Sequence, residues 1–345
     1  MKYRIEERVL HFKQPAGTSR GVYTERKIWL IHLTDGQHEG VGECAPLPDL
    51  SCDAGPDYAD ILNKVCADFC QRGEINYEAL RPYSSMLFGL ETALLDLRSQ
   101  ETGDRSQESG VLFDTAFSRG EVGIPINGLV WMGSYDEMLQ RMEQKLEQGF
   151  RCVKLKIGAI DFDKELDLVK RIRERFSFHE VELRLDANGA FPFDEALYKL
   201  ELLSQYAIHS IEQPIKAGQW AYMAELCRES PLPIALDEEL IGVNDLEMKR
   251  HMLSVIKPRY IILKPSLHGG MHGCREWISI AKEQGIGSWI TSALESNIGL
   301  NAIAQFAADI YGDAIRMPQG LGTGQLFTDN IDMGLEIRGD KLWKV

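Results

Sequence analysis

The sequence predicts an α/β protein, a parallel barrel joined to a smaller α+β domain. Three observations predict it. From residue 122 onward, short apolar segments alternate with longer segments of helical period. Before that point strand-like segments come first and helical segments follow. Five successive strand candidates in the later part also end in charged residues, as barrel strands do where they face an active site.

In the first part, residues 3–12, 27–33 and 39–43 read as strands, and residues 58–71 and 84–100 as helices. The second helix sets Met86, Leu87, Leu90, Ala93, Leu94 and Leu97 at helical spacing. Strands followed by segregated helices make an α+β unit. Residues 101–120 are polar and glycine-rich and read as a loop between domains. The later strands are expected at 125–131, 152–157, 181–187, 210–213, 234–238, 260–265, 288–292 and 314–317, with helical period between them, as at 135–148 and 162–176. Strands alternating with helices in this way suit a parallel barrel. A doubly wound open sheet is the alternative, weakened because no glycine-rich phosphate fingerprint follows an early strand. Residues 326–345 return to strand and turn composition, so the tail is expected to rejoin the first domain. The expected boundaries are 1–121, 122–325 and 326–345.

Lys and Arg number 38 against 52 Asp and Glu, a net charge of −14. That excludes a general affinity for nucleic acid or anionic membranes, which need basic surface. It admits an anionic substrate, because a bound dication reverses the sign locally. No stretch nears the roughly 18 apolar residues that cross a bilayer. The first residues, Met1-Lys2-Tyr3-Arg4-Ile5-Glu6-Glu7, carry charges where a secretory signal needs an apolar core. The seven cysteines, Cys44, Cys52, Cys66, Cys70, Cys152, Cys227 and Cys274, are odd in number and scattered, as reduced thiols in a cytoplasm are. Cys66 and Cys70 can share a helix face, but no second pair of soft ligands lies nearby to complete a metal site.

The chemistry gathers at strand ends. Side chains alternate along a strand, so Lys154 and Lys156 share one face and Val153, Leu155 and Ile157 the other. In a barrel the apolar face meets the helices, and the lysines point inward. A half-exposed antiparallel strand with solvated lysines is the plain alternative, and it leaves the other charged strand ends unexplained. Asp186, Glu212 and Asp237 offer carboxylates from adjacent strands, hard oxygen ligands that suit Mg²⁺ or Mn²⁺. Helix capping competes as an explanation; it accounts for Asn188 but poorly for Glu212, with Pro214 so close behind. Arg184 shares the face of Asp186, either to touch substrate or as a packed barrel charge. A free lysine, with a pKa of about 10.4, is a poor base at neutral pH. A dication, a second lysine and burial all lower it, and Lys154 beside Lys156 would contribute.

Taken in order, the K-x-K, D-x-N, E-Q-P, D-E and K-P-S elements over residues 154–266 resemble the muconate-lactonizing branch of the enolase superfamily. The likeness covers nearly the whole chain: residues 40–48 resemble that branch's capping-domain loop and residues 88–96 its capping-domain helix. It implies a (β/α)7β TIM-like barrel beneath an α+β capping domain. Within the branch, residues 264–270, 291–300 and 320–324 are most similar to the o-succinylbenzoate synthase group of menaquinone biosynthesis. That resemblance implies a hydro-lyase, with Lys156 as base, Lys264 as the opposing cationic lysine and Lys154 beside the base. It implies Asp186, Glu212 and Asp237 as ligands of Mg²⁺, with Mn²⁺ as the alternative, and Asn188 and Glu238 in support behind them. Ser292, Arg184, Ser296 and Gly322 would contact substrate.

The chain departs from the branch at Cys44, where a β-branched or small apolar residue is frequent, and in the polar loop at residues 15–25, which shapes the pocket. The rivals are N-acylamino acid racemases and dipeptide epimerases, which use the same two lysines. Dipeptide epimerases often carry an Asp-x-Asp motif near the last strands; Ser292-Ala293-Leu294-Glu295-Ser296 lacks it, which favours dehydration and leaves N-acylamino acid racemisation open. A barrel that only binds a ligand needs no base facing a metal. The expected partner is a small-molecule carboxylate rather than nucleic acid or membrane, and a homo-oligomer is compatible with the sequence.

Overall fold

The structure, a computed structural model, describes residues 1–18, 21–101, 110–313 and 315–345. The chain opens with an antiparallel meander, β1 (Lys2–Thr18), β2 (Gly21–Thr34) and β3 (Glu39–Cys44), in that order across the sheet. Three helices follow, α1 (Tyr58–Arg72), α2 (Tyr77–Leu80) and α3 (Ser84–Glu101). Alternation along β2 gives the sheet two apolar faces. Trp29, Ile31 and Leu33 pack with Leu62, Phe69, Leu90 and Leu97 of the helices. Ile28 and Leu30 pack the other way, against Leu267, Leu294 and Ile298 of the later domain. The sheet therefore lies between its own helices and the later parallel sheet and its loops. Helix α3 can approach β3 closely only because of glycine: a Cβ at Gly42 would lie 1.9 Å from the Gly89 carbonyl oxygen. Of the loop expected at 101–120, residues 102–109 lie outside the described residues, as do residues 19 and 20 of the polar loop at 15–25.

The later domain is a seven-stranded parallel sheet. Its first strand, expected at 125–131, is split. β4 (Ile124–Pro125) pairs elsewhere and β5 (Gly128–Val130) enters the sheet. The units that follow are α4 (Tyr135–Glu147), β6 (Cys152–Lys156), α5 (Phe162–Arg175), β7 (Glu182–Asp186), α6 (Phe193–Ser204), β8 (Ser210–Glu212), α7 (Trp220–Glu229), β9 (Ile234–Leu236), α8 (Leu246–Ile256), β10 (Tyr260–Leu263), α9 (Gly270–Glu283), β11 (Gly287–Ile290) and α10 (Asn297–Tyr311). The strands stand in sequence order from β5 to β11. Leu155, Leu185, Ile211, Leu236 and Leu263 face the helices in the main core. Ala235, Ile262 and Trp289 form a separate cluster on the opposite face. Helix α4 begins on a capping box between Ser134 and Glu137, and α10 begins on the Ser296 side chain.

No strand forms at residues 315–317, and residue 314, where one was expected to start, lies outside the described residues. The backbone that lies against both edges of the sheet is Gln319 and Gly320. Ile126 bridges to Gln319 and Thr291 to Gly320, both parallel. The Asn127 amide donates to the Gln319 carbonyl (3.0 Å) and the Gly320 amide to the Ile290 carbonyl (2.9 Å). Pro318 lacks a donor just before this point, which delays the pairing.

Beyond the parallel sheet, the Lys13 amide donates to Leu326 (2.8 Å) and the Thr328 amide to His11 (2.9 Å), so this stretch lies along β1. The final hairpin, β12 (Leu335–Arg338) and β13 (Lys341–Lys344), pairs instead with β4. Among the described residues no helix is long and apolar enough to cross a membrane.

Candidate active site

The ends of β6 to β10 converge. Lys154 and Lys156 share a face of β6, and register sets Lys154 beside Arg184 and Lys156 beside Asp186 of β7. Asp186 in turn lies beside Glu212 of β8. Asp237 follows β9 and Lys264 follows β10. Lys156 and Lys264 belong to strand ends four places apart in the sheet, with the ends that carry Asp186, Glu212 and Asp237 between them.

The six groups Lys154, Lys156, Asp186, Glu212, Asp237 and Lys264 form one ionic network. Lys154 Nζ lies 2.9 Å from Asp186 Oδ2 and 2.6 Å from Glu212 Oε2. Lys156 Nζ lies 3.1 Å from the same Asp186 oxygen and donates to Asn188 Oδ1 at 2.6 Å. Lys264 Nζ pairs with Asp237 Oδ2. Asn188 Nδ2 donates to Glu238 Oε1 (2.9 Å), so both residues expected in support stand at the network's edge. Charge exceeds burial in most of these groups. Burial works against the Asp186 charge, but Lys154 and Lys156 hold its carboxyl well below the usual range. Burial likewise opposes the Asp237 charge, and Lys264 more than offsets it. For Glu212, burial and the Asp186 charge act together and push its carboxyl far up. Lys154 and Lys264 are both raised: burial disfavours each ammonium, and the surrounding carboxylates prevail. In this arrangement Lys154 is stabilised as a cation rather than lowered toward a base.

Glu212 Oε1 and Asp237 Oδ1 are buried and accept no hydrogen bond. Unsatisfied buried oxygens are costly. Together with Asp186 they make a set of hard oxygen donors on three adjacent strand ends, which fits a divalent cation. As the side chains lie, lysine ammoniums engage these carboxylates, and among the described residues no three His, Cys, Asp or Glu stand in a metal-holding arrangement.

Above the network opens a cavity of about 550 Å³. Lys154, Lys156, Asp186, Asn188, Glu238 and Lys264 line its charged end. Ser292, Gly322 and Thr323 line another part, and Tyr23, Leu47 and Leu50 reach it from the first domain. Two expected substrate contacts lie elsewhere. Ser296 is fully buried, and its hydroxyl donates to Glu43 Oε2 at the start of α10. Arg184 is 1% exposed: its Nε donates to Glu182 (2.7 Å), its Nη1 to the Pro318 carbonyl (2.9 Å), and its guanidinium stacks 4.5 Å from the Trp289 ring centroid. It is a packed charge inside the sheet.

Three residues of the site were not anticipated. Trp131, just past β5, lines the cavity with its ring 5.9 Å from Lys156 Nζ. The strand-end rule that found the lysines points to it equally well. Gln213 accepts from the Asp237 amide (3.3 Å) and the Glu239 amide (3.2 Å), tying the β8 end to the β9 end. His268 Nδ1 accepts the Lys264 amide (2.8 Å), and burial pushes its pKa down to about 3, so the ring is neutral.

Residues 137–325 match the family described as Enolase C-terminal domain-like, and residues 18–97 the one described as MenC, N-terminal domain. The chain is 46% identical to the o-succinylbenzoate synthase of Desulfotalea psychrophila, over 99% of this chain and 98% of that protein. It is 31% identical to the N-succinylamino acid racemase of Thermus thermophilus, over 86% of this chain and 78% of the racemase. Superposed on the crystal structure of MenC from Desulfotalea psychrophila LSv54, it gives a TM-score of 0.83 with 41% identity over 99% of both chains.

Proposed function

The chain belongs to the enolase superfamily, and on that premise we propose that it is an o-succinylbenzoate synthase, dehydrating 2-succinyl-6-hydroxy-2,4-cyclohexadiene-1-carboxylate to 2-succinylbenzoate. One observation carries the reading: Lys156 and Lys264, four strand ends apart, line a single cavity, with Asp186, Glu212 and Asp237 on the strand ends between them. The likeness to the Desulfotalea synthase, running the length of both chains, supports the choice of substrate. The architecture proposed is a (β/α)7β barrel, with Gln319 and Gly320 as its last strand and the first domain as its cap.

Asp186, Glu212 and Asp237 would hold Mg²⁺, or Mn²⁺, which supplies Lewis-acid stabilisation of negative charge on the substrate carboxylate. The remaining work belongs to side chains. Lys156, in its neutral form, takes the proton from the ring carbon that bears the carboxylate. The electron pair of that C–H bond becomes a ring double bond as the C–O bond to the neighbouring hydroxyl breaks. Lys156 returns the proton on the same face, water leaves, and the ring becomes aromatic. Lys264 stays an ammonium, as its raised pKa favours, and supports the developing negative charge. Asn188 orients Lys156 through its 2.6 Å hydrogen bond. Ser292 and Gly322, at the cavity wall, would receive the succinyl carboxylate.

N-succinylamino acid racemisation is the second reading. The Thermus racemase likeness favours it, and so does the pair of lysines, which could serve either face of an α-carbon. A direct assay separates the two. The purified protein with Mg²⁺ and the cyclohexadiene substrate should lose diene absorbance rapidly, and a chelator should stop it. No turnover with metal present would overturn the synthase assignment in favour of the racemase.

A further inference from the structure

We propose that Arg26 is a positioning residue for substrate binding, a clasp that holds the capping wall and the barrel wall of the cavity together; the proposal rests on that cavity being the substrate site. Arg26 lies on β2, is 3% exposed, and does not line the cavity. Its guanidinium is spent on backbone carbonyls of two distant segments. Nη1 donates to Pro46 and Nη2 to Ala45, both just past β3. Nε donates to Leu294 at 3.2 Å, and Nη2 reaches Ala293 at 3.5 Å, both past β11.

The two nearby carboxylates are engaged elsewhere. Glu43 accepts the Ser296 and Gly299 amides, each at 2.8 Å, and Glu295 accepts the Ala293 amide at 2.6 Å. Arg26 is therefore a bracket between main chains and not one half of an ion pair. Its planar fork of donors can serve both segments at once, which a lysine ammonium on a flexible stem does poorly.

Each segment runs directly into a cavity wall. Pro46 precedes Leu47, which lines the cavity with Leu50, and on the other side Ala293 and Leu294 line it. Leu294 holds φ at 65°, a left-handed backbone that a leucine rarely adopts. Such a conformation persists only where its surroundings over-determine it. Here they do so through packing of the Leu294 side chain with Leu47 and Ile298, and through the Arg26 bond to its carbonyl. Without the bracket, Leu294 is free to relax and the cap wall loses its tie to the barrel. Lys156 and Lys264 are anchored separately, by Asn188, Asp186 and Asp237, so the loss should fall on substrate binding and spare the proton transfer.

The test compares Arg26→Lys and Arg26→Met with the unaltered enzyme, using Mg²⁺ and the cyclohexadiene substrate. KM should rise about tenfold while kcat stays within a few-fold, the signature of lost uniform binding. The Arg26→Met penalty on KM should shrink in a Leu294→Gly background, because glycine takes the left-handed backbone unaided. An unchanged KM in a folded variant, a fall in kcat alone, or an equal penalty in both backgrounds overturns the proposal. If Arg26→Met does not fold, Arg26→Lys carries the same comparison. Amide exchange provides a readout that needs no turnover: Arg26→Lys should speed exchange in residues 45–50 and 292–296 together, and exchange unchanged in either segment overturns the clasp. Absence of turnover by the unaltered enzyme would sink the synthase reading, and the exchange result would still decide the clasp.

Discussion

At the scale of single residues, the site is a set of charges whose meaning depends on neighbours. Lys156 and Lys154 are two residues apart on one strand, yet their surroundings differ. Lys154 is fixed between Asp186 and Glu212, and Lys156 shares Asp186 but reaches Asn188 at the cavity's edge. Replacing Lys156 with Ala should lower turnover by about 10²–10⁴-fold or more while titration calorimetry still shows Mg²⁺ binding; near-normal turnover would remove Lys156 from the role of base. Lys154→Met should behave differently. It leaves the buried Glu212 without its cation and Asp186 with Lys156 alone, at a cost of about 3–5 kcal/mol in the metal-free protein. Mg²⁺ should then raise the melting temperature of this variant more than that of the parent, and an equal gain in both would mean that Lys154 does not balance these carboxylates. These residues were legible in the sequence because one local rule finds them: inward alternation plus a position at a strand end. That rule does not see partners, so it could not choose between the two readings of Arg184 or show that Ser296 is buried against the cap. Glu43, which takes the Ser296 hydroxyl, stands 253 residues away, and the Arg184 guanidinium is absorbed by Glu182, Pro318 and Trp289.

At the scale of elements, close approach decides what a sequence pattern cannot. The strands and helices of the first domain follow from alternation and helical spacing, but the distance between α3 and β3 is set by glycines. Gly42→Ala would bring a methyl group to 1.9 Å from the Gly89 carbonyl oxygen, so backbone must move. That should cost about 1–3 kcal/mol, read as a lower denaturant midpoint with an unchanged slope; an unaltered midpoint would mean that α3 shifts freely. The pairing at the sheet's edges by Gln319 and Gly320 was the feature least visible from sequence. The expected segment is apolar enough to be a strand, but pairing begins only past Pro318 and consists of bridges at Gln319 and Gly320. A strand that short has no period to detect. Gly320 itself carries a clue, since a Cβ there would come within 1.8 Å of the Thr291 hydroxyl oxygen.

At the scale of the whole molecule, the seam between cap and barrel is built from buried carboxylates on helix starts. Glu91 of α3 accepts the Met271 amide (2.6 Å) and the His272 amide (2.9 Å) at the start of α9. Glu43 does the same at α10. Burial pushes the Glu91 carboxyl up to about 8 and the Glu43 carboxyl up to about 7, from an ordinary 4.5. Between those values the folded chain keeps protons that the unfolded chain has released, so stability should fall as pH rises from about 5 to about 8. Thermal unfolding at pH 6 and pH 9 checks the sign: the melting temperature should be lower at pH 9, and a higher one would contradict it. The sequence shows the glutamates but not their burial, because nothing local distinguishes a seam from a solvated strand.

The placing of that seam has a mechanical consequence. The cap's polar ties described above fall on α9, α10, Leu294, Leu326 and Thr328, all late in the chain, whereas Lys156 and Asp186 belong to β6 and β7. The rim above β6 and β7 carries none of these ties, so they hold the cap from one side, that of the later strands and helices.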